Sequence, residues 1–162
     1  MIRSLAMLLL ALSIMAEPTR LLAQPDTTGR NGIHITSAFA MSTPPGAPTG
    51  AAYLTIGARQ HSVILTGARS PISEAVELHD MSMHNGMMRM RHIKNLEIAA
   101  GDSVEMRPGN GVHLMLIGLK HALKPGDRLP LTLEFQHHPS LEIDVQVQGN
   151  NTGQKTNEPH RH

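Results

Sequence analysis

Cysteine is absent from this 162-residue chain, which removes disulfides, zinc ribbons and iron–sulfur clusters from consideration. The same absence excludes a blue-copper electron-transfer centre, because that site needs a cysteine thiolate. Tryptophan is missing too, and one tyrosine and two phenylalanines are too few to build a base-stacking surface. Neither charge sign dominates: the net charge is +1 with histidine neutral, which argues against a nucleic-acid partner or a polybasic membrane surface. No segment shows ten or more residues of convincing helical period. The apolar run Leu5 to Met15 is too short to span a bilayer comfortably.

That run follows Arg3 and is interrupted early by Glu17, Pro18 and Arg20. A positive n-region, a short apolar stretch and small residues at Ala16 and Ala23 predict a secretory signal peptide over residues 1–23, cleaved after Ala16 or Ala23. A retained anchor or a buried helix is the alternative reading. After processing, no membrane span is expected.

What the chain has in abundance is methionine and histidine, eleven of each. His79 to Met90 reads His-Asp-Met-Ser-Met-His-Asn-Gly-Met-Met-Arg-Met, and His113-Leu114-Met115 follows on an apolar segment that reads as a strand. Thioether sulfur is a soft ligand and imidazole a borderline one, so together they favour copper, Cu(I) above all. A thioether needs no deprotonation and forms no disulfide, so such a site survives in an oxidising compartment.

The rest of the mature chain alternates with period two between turn residues. Strands are expected at Gly32 to Ala40, Ala52 to Ile56, Ser62 to Thr66, Ala75 to Leu78, Met87 to Ile93, Ser103 to Arg107, His113 to Ile117, Arg128 to Phe135 and Leu141 to Val147. Pro44 to Gly50 is a stiff connection, and His137 to Ser140 a hairpin-like link. Many short strands punctuated by glycine and proline predict an all-β sandwich or barrel. The expected organisation is a single β domain over residues 24–147 and a polar, histidine-containing tail over 148–162 that is expected to be disordered.

These residues resemble the PCu(A)C-type periplasmic copper chaperones. That family's signature is a histidine, ten residues, a methionine, about twenty-one residues, then His-x-Met. Here ten residues separate His79 from Met90, and twenty-two separate Met90 from His113-Leu114-Met115. The extra residue falls in the turn Pro108-Gly109-Asn110-Gly111. Flanking matches include Pro44-Pro45-Gly46, Gly50 to Ile56, Val76 to His79, Met88 to Arg91, Met115 to Lys120 and Leu123 to Asp127, so the resemblance runs from about Ile33 to Val147. Met41 departs from a common arginine, and Gly57 to His61 is shorter than the usual connection.

The resemblance implies a cupredoxin-like β-sandwich of Greek-key type, working as a periplasmic monomer. It implies one copper ion held by His79, Met90, His113 and Met115. Taken singly, Met90 or Met115 reads as a core gap-filler, His79 as a surface histidine and His113 as a satisfied core histidine; the shared spacing favours ligation. Leu114 between His113 and Met115 points the other way on a strand, so both donors face one side. Met81, Met83, His84, Met87 and Met88 are candidate secondary donors or loop residues, whereas His34, His61, His92 and His121 read as bystanders. His137-His138 and the tail's His160 and His162 are candidates for Cu(II), which takes imidazole readily. The implied role is a metallochaperone, not an enzyme. It would deliver copper to the copper-bearing subunit of a respiratory cytochrome oxidase or to another periplasmic copper carrier. A copper-buffering or resistance protein, a copper redox enzyme and a metal-free scaffold are the rival readings.

Overall fold

In a computed structural model, Thr27–Thr28 and residues 32–149 are described. The signal-peptide segment, both candidate cleavage sites, His160 and His162 lie outside these residues. Period-two runs cut by glycine and proline become eleven strands, with no helix among the described residues. They are β1 (Thr27–Thr28), β2 (Ile33–Met41), β3 (Thr49–Ala58), β4 (Val63–Arg69), β5 (Ala75–His84) and β6 (Met87–His92). The remainder are β7 (Leu96–Ile98), β8 (Ser103–Glu105), β9 (Gly111–Ile117), β10 (Arg128–Phe135) and β11 (His138–Gln148).

The strands hydrogen-bond in the order β1-β2-β11-β10-β4-β5-β9-β3-β8, with β6 added to β5 and β7 to β4. Because β2 also pairs β3, the sheet closes on itself. The join between β4 and β5 is slight, with Ala68 opposite Val76 as its register pair. The result is an all-β, cupredoxin-like sandwich. Leu129, Leu131 and Leu133 of β10, Val145 and Val147 of β11 and Leu65 of β4 share one buried cluster with Leu54 and Ile56 of β3, Leu78 of β5 and Leu114 and Leu116 of β9. Each of these leucines contributes about 2 kcal/mol by leaving water.

This packing decides where the polar donors go. Neighbouring residues on a strand face opposite ways. Burying Leu78 therefore puts Glu77, His79 and Met81 on the other face of β5, and burying Leu114 and Leu116 puts His113 and Met115 on the matching face of β9.

Two local features depart from simple alternation. In β2, Ile33 and Ile35 are buried but the next core residue is Ala40, because the register with β3 shifts between Thr36 and Phe39 and Ser37 takes a φ of 53°. Such a bulge adds a residue to one strand and reverses its facing, which turns Phe39 onto Tyr53. In the segment expected to leave its strand at Leu78, β5 instead runs on to His84. It meets β6 through Asn85-Gly86, whose φ values of 51° and 76° are those of a type I′ hairpin turn. The expected His137 to Ser140 link is tighter than foreseen: β11 starts at His138, with His137 at a φ of 61°.

Candidate metal centre

β5 lies between β9 and β6, so the centre is a ladder of cross-strand rows. His79 faces His113 on β9 and His92 on β6; one row along, Met81 faces Gly111 and Met90; beyond it, Met83 faces Met88. In the opposite direction Glu77 faces Met115. Residues directly opposite share a face of the sheet, so all these side chains except the glycine stand on one side. His79 is the hub. Its ring centroid is 5.9 Å from that of His113 and 5.9 Å from that of His92. Met90 and Met115 are its diagonal neighbours on opposite sides, a relation of about 7–8 Å that long side chains bridge.

Hydrogen bonding fixes what the imidazoles can offer. Nε2 of His79 lies 2.8 Å from Oε2 of Glu77. A carboxylate only accepts, so a neutral His79 donates its proton there and leaves the Nδ1 lone pair free. That Nδ1 is buried with no hydrogen-bond partner, and so is Nδ1 of His113. A buried polar nitrogen without a partner is costly, and a carboxylate that orients an imidazole and raises its basicity is the usual support of a metal-bound histidine. Burial also lowers the pKa of His113, with a Gly111 backbone hydrogen bond opposing, which favours the neutral form of the ring. The hydrogen bond from His79, more than charge, lowers the pKa of Glu77. Tyr53 walls the far side of His113, with ring centroids 6.2 Å apart, and stacks in turn on Phe39 at 5.3 Å. Its phenol is raised in pKa by burial.

Among the described residues no group of three or more His, Cys, Asp or Glu side chains could hold a metal ion. Beside the histidine row the methionines offer thioether sulfur as further donors. His113 is 4% exposed and Met81 9%, Met115 is half-buried and Met90 is 48% exposed, so the set runs from interior to surface. Two imidazoles and two thioethers carry no charge, which suits a monovalent soft cation.

The fold thus places all four expected ligands on one face and sets the two histidines opposite one another. Met81, Met83 and Met88 share that face, while His84 and Met87, paired with each other one position out of phase, stand on the reverse. His137 and His138 lie at the β10–β11 turn, outside this face. His92, read from sequence as a bystander, sits as near His79 as His113 does. The signal for it was Asn85-Gly86: a two-residue turn there fixes the register that sets residue 79 opposite residue 92.

Residues 33–147 match the family described as LpqE-like, "Putative lipoprotein LpqE-like". The chain belongs to that family. A curated relative, "Putative lipoprotein Lxx21020" from Leifsonia xyli subsp. xyli (strain CTCB07), is 33% identical over 87 residues, 53% of this LpqE-like chain and 52% of the relative. The chain thus spans about half the length of the curated relative it matches. Among solved structures, the copper-bound PCuAC domain from PmoF2 superposes with a TM-score of 0.62 at 19% identity, over 73% of this chain and 93% of that one. CuI-DR1885 from Deinococcus radiodurans gives 0.59 at 27% identity, over 84% and 87%. The fold expected from the resemblance is the fold found. No helix among the described residues is long and apolar enough to cross a membrane.

Proposed function

We propose that this LpqE-like protein is an exported copper carrier, working in the periplasm as a monomer, that binds one Cu(I) through His79, Met90, His113 and Met115 and hands it on. The observation that carries the reading is the pair of buried, unpartnered Nδ1 atoms of His79 and His113 on facing residues of β5 and β9, with methionines at both diagonals. Sulfur and neutral nitrogen together select copper over zinc or hard cations. The likeness to a copper-bound PCuAC domain and to CuI-DR1885 supports the same cargo.

Release follows from the donors. Thioethers bind more weakly than thiolates, so an acceptor with cysteines draws the ion downhill without a chemical step. The dinuclear copper centre of a cytochrome oxidase subunit is such an acceptor. The Glu77–His79 pair is read as support for a metal ligand, so the role proposed is a carrier and not an enzyme. His160 and His162, imidazole donors in the polar tail of the sequence, are assigned to Cu(II).

Cu(I) titration of the mature protein under reducing conditions, with X-ray absorption on the complex, tests the proposal. Nitrogen and sulfur together in the first shell, lost in a His79→Ala/His113→Ala variant, are expected. A shell of nitrogen and oxygen alone would overturn it. Transfer of the bound ion to a thiolate-bearing oxidase fragment separates a carrier from a copper buffer, which retains its ion.

A further inference from the structure

Four large apolar side chains are conspicuously exposed among the described residues, Met83 at 64%, Met87 and Met88 at 58% and Met90 at 48%, and all four are methionines of the β5–β6 hairpin. Leucine, isoleucine and valine, which would serve a purely apolar purpose equally well, are buried or half-buried among the described residues. Water-facing thioethers gain nothing from packing, so their placement asks for a chemical reason.

The ladder supplies one. Met83 stands directly opposite Met88, Met81 is two residues back along β5 on the same face, and Met81 is diagonal to Met88. Opposite partners have Cβ atoms about 4.5–5.5 Å apart and diagonal ones about 7–8 Å, distances that flexible methionines span. Three sulfurs can therefore converge above β5 and β6 while Met90 stays with the histidine row. On the β9 side of Met81 stands Gly111, around whose Cβ position nothing lies within 4 Å, so no side chain there crowds the sulfur. Beyond His79, towards the hairpin tip, the fixed charges of β5 and β6 lie on the reverse face, where Arg91 pairs with Asp80 at 3.1 Å and Arg89 faces Ser82.

We propose that Met81, Met83 and Met88 form a second, all-thioether Cu(I) site, next to the histidine–methionine centre and nearer the hairpin tip. Three neutral sulfurs without a nitrogen donor select Cu(I) or Ag(I) and bind it less tightly than the mixed set, so an ion here stands between solvent and the inner centre. His84 and Met87 take no part, because they face the other way. The assignment adds to the proposed copper site but does not depend on it, since the two share no ligand.

Titration of the full exported protein with Cu(I) against a chromophoric Cu(I) chelator, with sulfur and nitrogen counted by X-ray absorption at each stage, tests it. Wild type should take a second, weaker ion whose shell is sulfur only. Met83→Leu/Met88→Leu, close to isosteric and solvent-facing, should lose that ion and keep the first. Met87→Leu should keep both. Saturation of wild type after one ion, a nitrogen-bound second ion, or equal loss in Met87→Leu would overturn the site. So would a double variant that keeps both ions but slows transfer to an acceptor, since the strip would then be a docking surface. A first ion without nitrogen alongside a sulfur-only second one would sink the histidine reading and leave this one standing.

Discussion

Tyr53 holds the buried flank of His113: its ring centroid lies 6.2 Å from the imidazole, and the Tyr53 ring itself rests on Phe39 at 5.3 Å. The bulge at Ser37 is what brings Phe39 to this face. A distortion in β2 thus supports the proposed ligand His113 on β9 through two rings. Tyr53→Ala should destabilise the metal-free protein by about 3–4 kcal/mol in urea unfolding, as other buried aromatics do. It should also weaken Cu(I) binding by freeing the His113 ring. Unchanged affinity in the folded variant would mean that His113 is positioned by its own strand alone.

Glu77→Gln tests the carboxylate behind His79. An amide can still accept the Nε2 proton but lacks the charge that raises imidazole basicity. Cu(I) affinity should fall about 10-fold or more, read by chelator competition. Stability should barely change, since Glu77 is not in the core.

The pH dependence follows from His113. Burial lowers its pKa in the fold, so between that lowered value and about 6.5 the unfolded chain binds more protons than the folded one. Stability of the metal-free protein should therefore decline as pH falls below about 6.5, and level off, for this group, once the lowered value is passed. His113→Gln should flatten that part of the urea-midpoint profile. Cu(I) affinity should weaken on acidification through the imidazoles, while Met90→Leu/Met115→Leu lowers affinity at every pH with nearly the same slope. A slope that disappears with the methionines contradicts this division.

Gly86 holds a φ of 76° in the turn that sets the β5–β6 register. Gly86→Ala forces a Cβ into that conformation and should cost about 1 kcal/mol locally. Amide exchange in β6 should quicken, and Cu(I) affinity should drop because Met90 loses its alignment with Met81. Protection in β10 and β11 should be unaffected.

How far the sequence foretold this depends on whether its pattern was local. Leu129, Leu131, Leu133 and Phe135 alternate in sequence and are all buried; the same holds for Ile143, Val145 and Val147 on β11. His113, Leu114 and Met115 split between faces as their alternation requires. What escaped was pairing. His92 shows nothing unusual in its neighbourhood and gains its place only from the strand opposite. The facing of Phe39 depends on Ser37 adopting a backbone conformation uncommon outside glycine. β7 is three residues long, too short to carry a period, and exists because β4 offers it a partner.

The hairpin that carries the methionines has one further property. Among the described residues β6 is laddered to β5 alone, and its outer edge runs beside an apolar strip, the arrangement that invites edge-to-edge aggregation. Arg89 and Arg91 interrupt that strand at alternate positions and are exposed. A second copy pairing along this edge would have to bring its own Arg89 and Arg91 close to these and desolvate Arg89, unpaired among the described residues, which works against edge-to-edge association. If the proposed sulfur sites bind their ion, this edge must stay open to solvent, and charged residues at alternate positions of an edge strand are the device that disfavours pairing with a second copy.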